Sequence, residues 1–358
     1  MTECDILIIG TGYYAEIMVN DLAATAARPL TVTIAGRNEA RLRWLKTAAN
    51  ARAAVFGRPA RFLSERFDLS SVETAAEDLS RWQPRVIVQA ASLQSPWAVD
   101  RPDSEWSRLV SAAGYGITIA FQSLLPVRTA SALEAIGSRA CFVNTCYPDG
   151  VNQVLRARGL PIHCGVGNVA IFAAVIAGTL APSKRSAVRV LAHHHHLVQW
   201  RSPGAERRGM PVRVWVGESE MRDVQERFRS IQLPYRDLNV ISGASAVPVL
   251  LALAGHGDHR GHVPGPRGLP GGYPVRVAAG AVELDLPQSL GVEEAIAWNR
   301  QFEALDGASV GDDGRVVYSD AARELLRRYS PEIAAGFHVK DLEPACRALQ
   351  EFRTRLGG

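Results

Sequence analysis

Cysteine, long apolar runs and blocks of like charge are all scarce in this chain. Its five cysteines are irregularly spaced and form no C-x-x-C pair, which argues against a disulfide framework or a structural zinc site. No apolar run reaches bilayer-spanning length and no secretory leader pattern precedes the first strand, so a soluble, cytoplasmic protein without membrane contacts is expected. A net charge of +4 over 358 residues, with no long basic run, gives nucleic-acid binding no support. With 47% hydrophobic and 21% charged residues the composition is that of an ordinary globular enzyme, and the length suits two domains. No internal repeat is visible.

What is present is organised around residues 4–20, CDILIIGTGYYAEIMVN. Residues 5–9 are rich in Ile and Leu and suit a strand buried on both faces of a parallel sheet. They run into Gly10-Thr11-Gly12-Tyr13-Tyr14-Ala15, a G-x-G-x-x-A pattern, and then into a segment of helical spacing. Gly10 permits a tight turn, Gly12 lets backbone N–H groups approach a pyrophosphate, and Ala15 allows close packing of helix on strand. The helix start adds unpaired donors and a positive dipole end. Residues 10–14 are therefore expected to hold the phosphates of a dinucleotide. The alternative is a glycine turn that only packs.

A second strand, 30–35, is followed by Gly36-Arg37-Asn38. Sites for NAD place an acid at this strand end to accept hydrogen bonds from the ribose 2′-OH. No acid stands there, whereas a guanidinium pairs well with a 2′-phosphate. NADP(H) is expected over NAD(H), with Arg37 and Asn38 at the adenosine end; the alternative is an ordinary arginine at a helix start. The strand 84–92 ends in Gln89-Ala90-Ala91-Ser92, and Ala91 and Ser92 are expected beneath the nicotinamide ribose. The loop 93–104, with Pro96, Trp97 and Pro102, reads either as a lid or as a surface connection.

Strands and helices alternate up to about residue 165, which predicts an α/β fold with an N-terminal doubly wound parallel Rossmann sheet. Beyond that point the pattern changes to an α+β arrangement. An extended strand is expected over 186–200 with an antiparallel partner at 211–217, then helices at 221–231 and 243–254. A Gly-, Pro- and His-rich loop at 255–272 precedes a hairpin at 275–286 and helices at 292–305, 318–329 and 342–355. The expected organisation is an NADP-binding domain, 1–165, and a C-terminal catalytic domain, 166–358, that also forms a homodimer.

The order of these pieces resembles the lactate/malate dehydrogenase superfamily, with opine and saccharopine dehydrogenases as neighbouring two-domain relatives. The likeness is carried by Gly10-Thr11-Gly12, by the helix 117–136, and by Cys141-Phe142-Val143-Asn144 with Pro148-Asp149, similar to a V-x-N-P-x-D strand end. Gly165-Val166-Gly167-Asn168 before an apolar helix, and the strand leading into the histidines, add to it. The resemblance implies a nicotinamide-dependent dehydrogenase in which Asn144 orients nicotinamide and substrate and a histidine near 193–196 mediates the proton. One departure matters. Hydroxy-acid dehydrogenases carry an Asp and an Arg on the helix after that turn, and residues 169–174, VAIFAA, carry neither. The resemblance therefore implies an amino-acid-derived, imine or cyclic substrate rather than a 2-hydroxy acid held in the usual way.

Hydride transfer belongs to the cofactor, and the protein must position a small-molecule substrate and move a proton. A histidine titrating near neutrality suits that task. Read as a strand, the tract His193-His194-His195-His196 presents either His194 and His196 or His193 and His195 to the cleft. The alternatives are an exposed strand end or core histidines satisfied by backbone. A second cluster, His256, Asp258, His259 and His262, reads as a substrate-covering or surface loop. Without accompanying Cys or Glu ligands, no functional metal is expected there. Asp149 and Tyr147 either serve a histidine or cap the following helix, and Cys146 and Cys164 read as core residues. Taken together, these features indicate an NADP(H)-dependent oxidoreductase acting on a C=N or C=O carbon. The alternative is a non-redox nucleotide-binding sensor or scaffold.

Overall fold

Four consecutive apolar residues, Ile6–Ile9, form β1 and face two different cores in alternation. Leu7 and Ile9 point into one, Ile6 and Ile8 into the other. The strand is buried on both sides because it lies inside a parallel sheet. With β2 (Leu30–Gly36), β3 (Ala60–Arg66), β4 (Val86–Gln89), β5 (Cys141–Asn144) and β6 (Cys164–Gly165), the order is β3-β2-β1-β4-β5-β6. The computed structural model describes residues 4–95, 104–234, 237–278 and 280–358. The loop features expected at Pro96, Trp97 and Pro102 lie outside the described residues.

Helices α1 (Tyr13–Thr25), α2 (Glu39–Val55), α3 (Val72–Trp82), α4 (Glu105–Ala113), α5 (Ile119–Ala135), α6 (Pro148–Ala157) and α7 (Val169–Gly178) fill the connections. This is the doubly wound parallel sheet that the alternation of strands and helices predicts. Sequence order reverses between β1 and β4, which are direct neighbours. In open α/β sheets, ligands bind in the crevice that such a reversal leaves at the carboxyl ends of the strands.

Three small antiparallel sheets follow. The first joins β7 (Val188–Leu191), β8 (Arg213–Val216) and β9 (Ser219–Glu220). The extended strand expected over 186–200 stops at Leu191, and His194–Arg201 is a helix. Imidazoles cause the change. The N–H of His195 donates to His193 Nδ1 at 3.2 Å, and the N–H of His193 donates to His196 Nδ1 at 3.0 Å, a reciprocal cap made of two histidines. Buried His196, Leu197 and Trp200 then share one helical face.

The helix expected over 221–231 shrinks to Val224–Arg227: Asp223 before it holds left-handed backbone (φ 54°), after it the N–H groups of Arg229 and Ile231 bond three residues back in turns, and the Arg207 guanidinium takes the Phe228 and Ile231 carbonyls. The stretch expected as a loop at 255–272 contains β10 (His259–Pro264), paired antiparallel with β11 (Gly272–Ala278), and β12 (Ala281–Leu284) completes the expected hairpin. The last sheet, β13 (Ala308–Val310), β14 (Arg315–Tyr318) and β15 (Phe337–His338), packs with helix Leu342–Arg355 into the core that Leu7 and Ile9 enter. Among the described residues no helix is long and apolar enough to cross a membrane.

Two close approaches fix the turn after β1 and the helix that follows it. Gly10 has φ +138°, and a Cβ there would stand 2.8 Å from the Ala90 carbonyl oxygen. Gly243, on helix Leu238–Leu253, meets α1 so closely that a Cβ would stand 2.5 Å from Ile17 Cγ2. Gly10→Ala combines a disfavoured backbone angle with that backbone clash. It is expected to cost about 1–3 kcal/mol in urea unfolding; unchanged stability would show that the turn relaxes freely.

Candidate functional site

The glycine-rich turn stands at the end of β1. The N–H of Gly10 donates to Ala35 O at 2.8 Å, which locks the turn to β2. Gly12 is the N-cap of α1, with no side chain capping the helix. A Cβ on Gly12 would meet nothing within 4 Å. The turn therefore offers open space in front of first-turn N–H donors, the arrangement that receives a phosphate. The Thr11 carbonyl accepts a hydrogen bond from Arg41 Nε at 3.3 Å. Tyr13 is exposed, and Tyr14 Oη shares a 2.8 Å hydrogen bond with Ser242 Oγ.

At the end of β2, Arg37 is exposed and has no polar partner among the described residues. Asn38 caps α2 by accepting the N–H of Arg41 at 3.0 Å. Arg66 stands beside them, because it pairs with Gly36 in the register of β2 and β3. At the end of β4, buried Gln89 holds the turn. Its Nε2 donates to Ala91 O at 2.7 Å, its Oε1 accepts from Thr129 Oγ1 at 2.8 Å, and Ser92 Oγ donates to Gln94 O.

The ends of β5 and β6 carry a second group of polar residues. Tyr147 precedes α6, Asp149 lies in its first turn, and Asn168 precedes α7. Tyr147 (φ 42°) and Asn168 (φ 41°) both hold left-handed backbone that non-glycine residues rarely adopt. Asn168 Nδ2 donates to Asp149 Oδ2, while Asp149 Oδ1 accepts the backbone N–H of His194 at 3.1 Å. One aspartate thus ties the start of the histidine helix to the edge of the Rossmann sheet. Gly167 completes the link to the glycine-rich turn, since a Cβ there would lie 3.5 Å from Tyr14 Oη.

His194 is the centre of this group. Its Nδ1 lies 2.7 Å from Asp306 Oδ2, which also accepts the Tyr147 hydroxyl at 2.7 Å. The rings of Tyr115 and Tyr147 pack against the imidazole at 5.7 and 5.2 Å. The side chain is 14% exposed, and its Nε2 has no partner among the described residues.

The four histidines of the tract stand in different surroundings. His193 is buried, and its Nδ1 is occupied by the His195 N–H. His195 is half-buried and stacks on Phe302. His196 is fully buried, nearly parallel to Trp298 at 5.4 Å. The two-faced presentation expected of a strand does not arise, because successive helical residues point about 100° apart. Asn144 is fully buried; its Nδ2 donates to Cys146 O and Asn152 Oδ1, and its Oδ1 accepts the Cys146 N–H. Its amide closes the turn after β5.

In the second histidine cluster, His262 Nε2 accepts the Val190 N–H at 3.0 Å and ties β10 to β7. Among the described residues no three His, Cys, Asp or Glu side chains are grouped to hold a metal. The Cys146 thiol is pushed up to about 12 by burial, so it is no nucleophile.

Burial alone would drive the His194 imidazole neutral. The charge of Asp306, the hydrogen bond to it and the charge of Asp149 outweigh burial, and its pKa is raised. For Asp306, burial favours the protonated acid, but the charge and hydrogen bond of His194 prevail and hold it well below the usual carboxylate range. His193 and His195 are lowered by burial, and His196 is pushed down to about 3 by burial and then by His193. Of the four adjacent histidines, His194 is the one whose pKa is raised. Asp306 was missed in sequence, where it stands just beyond the helix expected over 292–305.

No protein-family model matches this sequence, and no curated protein matches it. Among solved structures, the chain is similar to malate dehydrogenase from Aeropyrum pernix, at 14% identity and a TM-score of 0.48, over 92% of this chain and 99% of that one. It is also similar to malate dehydrogenase from Plasmodium falciparum, at 11% identity and a TM-score of 0.49, over 83% and 97% of the two chains. The minor L-lactate dehydrogenase from Enterococcus mundtii matches at 14% identity and a TM-score of 0.47, over 84% and 95%.

The ion pair has a defined pH window. Asp306, with a lowered pKa, stabilises the fold above its unfolded value of about 3.9 and loses that contribution as pH falls through its folded value. His194, with a raised pKa, stabilises below about 6.5 and loses its contribution as pH rises through its folded value. Asp306→Asn is therefore expected to cost about 1–3 kcal/mol in urea unfolding at pH 5.5 and clearly less at pH 9. An equal cost at both pH values would rule out a buried ion pair.

Proposed function

We propose that the chain is an NADP(H)-dependent oxidoreductase that moves a hydride to or from a C=O or C=N carbon of a small molecule, with His194 as proton donor or acceptor. One observation carries this reading. His194 is clamped at Nδ1 by buried Asp306, without a partner at Nε2 among the described residues, and tied through Asp149 to the edge of the sheet that bears the glycine-rich turn. Nε2 is the atom that exchanges the proton, and Asp306 stabilises the imidazolium form that donates it. The nicotinamide, when bound, supplies the hydride.

The phosphates would rest on the backbone amides of the turn from Gly10 through Tyr14, Thr11 and Tyr13 included. Ala91 and Ser92 would pass beneath the nicotinamide ribose. Arg37, beside Asn38 and supported by Arg66, would take the 2′-phosphate. Three facts support NADP over NAD: no acid ends β2, Arg37 has no polar partner among the described residues, and Arg66 is its neighbour. Asn144 shapes the turn from which Tyr147 and Asp149 emerge, and His193, His195 and His196 hold the helix that presents His194.

Titration of the protein with NADPH and NADH, followed by nicotinamide fluorescence, tests the cofactor. NADPH is expected to bind the tighter of the two, and Arg37→Asp to weaken it by about 1–3 kcal/mol while leaving NADH nearly unchanged. Equal affinity for both cofactors would remove the assignment to NADP, and binding of neither would sink the oxidoreductase reading. His194→Gln is expected to keep NADPH affinity and lower turnover by roughly 10²–10⁴; full turnover would remove the proton-donor role.

A further inference from the structure

Two donors of different kind meet at a single oxygen of Asp306. His194 Nδ1 and the Tyr147 hydroxyl each lie 2.7 Å from Oδ2. Asp306 is buried and depends on such donors to stay ionised. Tyr147 reaches it from the turn after β5, and although it precedes α6, its side chain makes no capping bond to that helix. Its ring lies over Gly150, where a Cβ would stand 2.6 Å from Tyr147 Cε1, and packs edge-on against Tyr115 and His194, 5.2 Å from each. A backbone angle of φ 42° and a glycine three residues on thus deliver one hydroxyl to one oxygen. Burial and the charge of Asp306 raise the Tyr147 phenol well above its ordinary value, so it stays a neutral donor.

The two donors differ in what they ask of the carboxylate. The imidazolium needs its charge, whereas a neutral hydroxyl stabilises the anion whether or not the histidine is protonated, and so weakens the anion's preference for a cation. The other charged and titratable groups around the ring act from elsewhere. The charge of Asp149 favours the imidazolium, that of Arg201 opposes it, and burial holds His193 and His195 toward neutrality. Tyr115 packs its ring against the imidazole. We propose that Tyr147 is a positioning residue that sets the acidity of His194: by donating to the oxygen that His194 faces, it draws off part of the Asp306 charge, and the imidazolium gives up its Nε2 proton more readily. Asp306 favours the charged ring, and Tyr147 limits how strongly. The tuning rests on the two contacts at Oδ2, and only its use in turnover rests on the proton-transfer reading above.

NMR titration of the full-length protein labelled in its histidine rings, without cofactor, measures the effect. Tyr147→Phe keeps the ring and deletes the donor. It is expected to move the midpoint of the His194 titration upward by about 0.5–1 pH unit. Replacement of Tyr147 by meta-fluorotyrosine keeps the hydroxyl and strengthens it as a donor, and is expected to move the midpoint downward. An unchanged or lowered midpoint in Tyr147→Phe would overturn the inference. So would a shift of both variants in one direction, which is what loosened packing alone would give. If Tyr147→Phe fails to fold, the fluorinated protein decides: a lowered midpoint supports the tuning, and an unchanged or raised one removes it. Midpoints that move as expected in a protein that binds neither NADPH nor NADH would sink the oxidoreductase reading and leave the tuning standing. Unmoved midpoints in a protein that binds NADPH would do the reverse.

Discussion

A single buried hydrogen bond, 2.7 Å between His194 Nδ1 and Asp306 Oδ2, sets the character of the site. Without it, burial would leave His194 neutral like its three neighbours in the tract. With it, one ring is oriented and held toward the imidazolium form, and its second nitrogen has no partner among the described residues. Forming the pair requires three distant stretches to meet: the turn after β5 that supplies Tyr147, the helix that begins at His194, and the turn that holds Asp306. A buried ion pair is weak evidence of stability in itself, because desolvation offsets much of its Coulomb gain. On the proposed reading, the pair serves to fix a proton at a chosen atom.

The Rossmann sheet provides the frame against which that proton is placed. β1 is buried on both sides, so its end cannot shift without disturbing two cores. Gly10 passes so near the Ala90 carbonyl that side chains are excluded, and Gly12 faces open space. The first glycine therefore holds the turn, and the second leaves room before the helix start. Asp149 couples the frame to the histidine helix through a backbone N–H, whereas Asp306 couples to the imidazole itself. The division of labour between these two aspartates separates position from charge.

Much of the frame was legible in the sequence. Short Ile- and Val-rich runs separated by helical spacing gave the parallel strands, and the glycine pattern marked the end of β1. The hairpin at Gly280 and the C-terminal helix were equally plain. Legibility failed where side chains rather than periodicity decide the backbone. Four consecutive histidines have no apolar rhythm, and the cap that turns them into a helix start uses imidazoles where Ser, Thr, Asp or Asn is usual. β10 is written in His, Arg, Gly and Pro, and only its pairing with β11 makes it a strand. Asp306 lies 112 positions from His194, so its role exists only once the chain has folded.

The most direct measurement is an NMR titration of the protein labelled in its histidine rings, recorded with and without NADPH. The expected result is one imidazole, identified by its loss in His194→Gln, that stays protonated to higher pH than its neighbours and whose resonances shift when NADPH is added. Four tract histidines titrating together near the ordinary value of about 6.5, with no response to NADPH, would contradict both the selection of His194 and its place beside the dinucleotide.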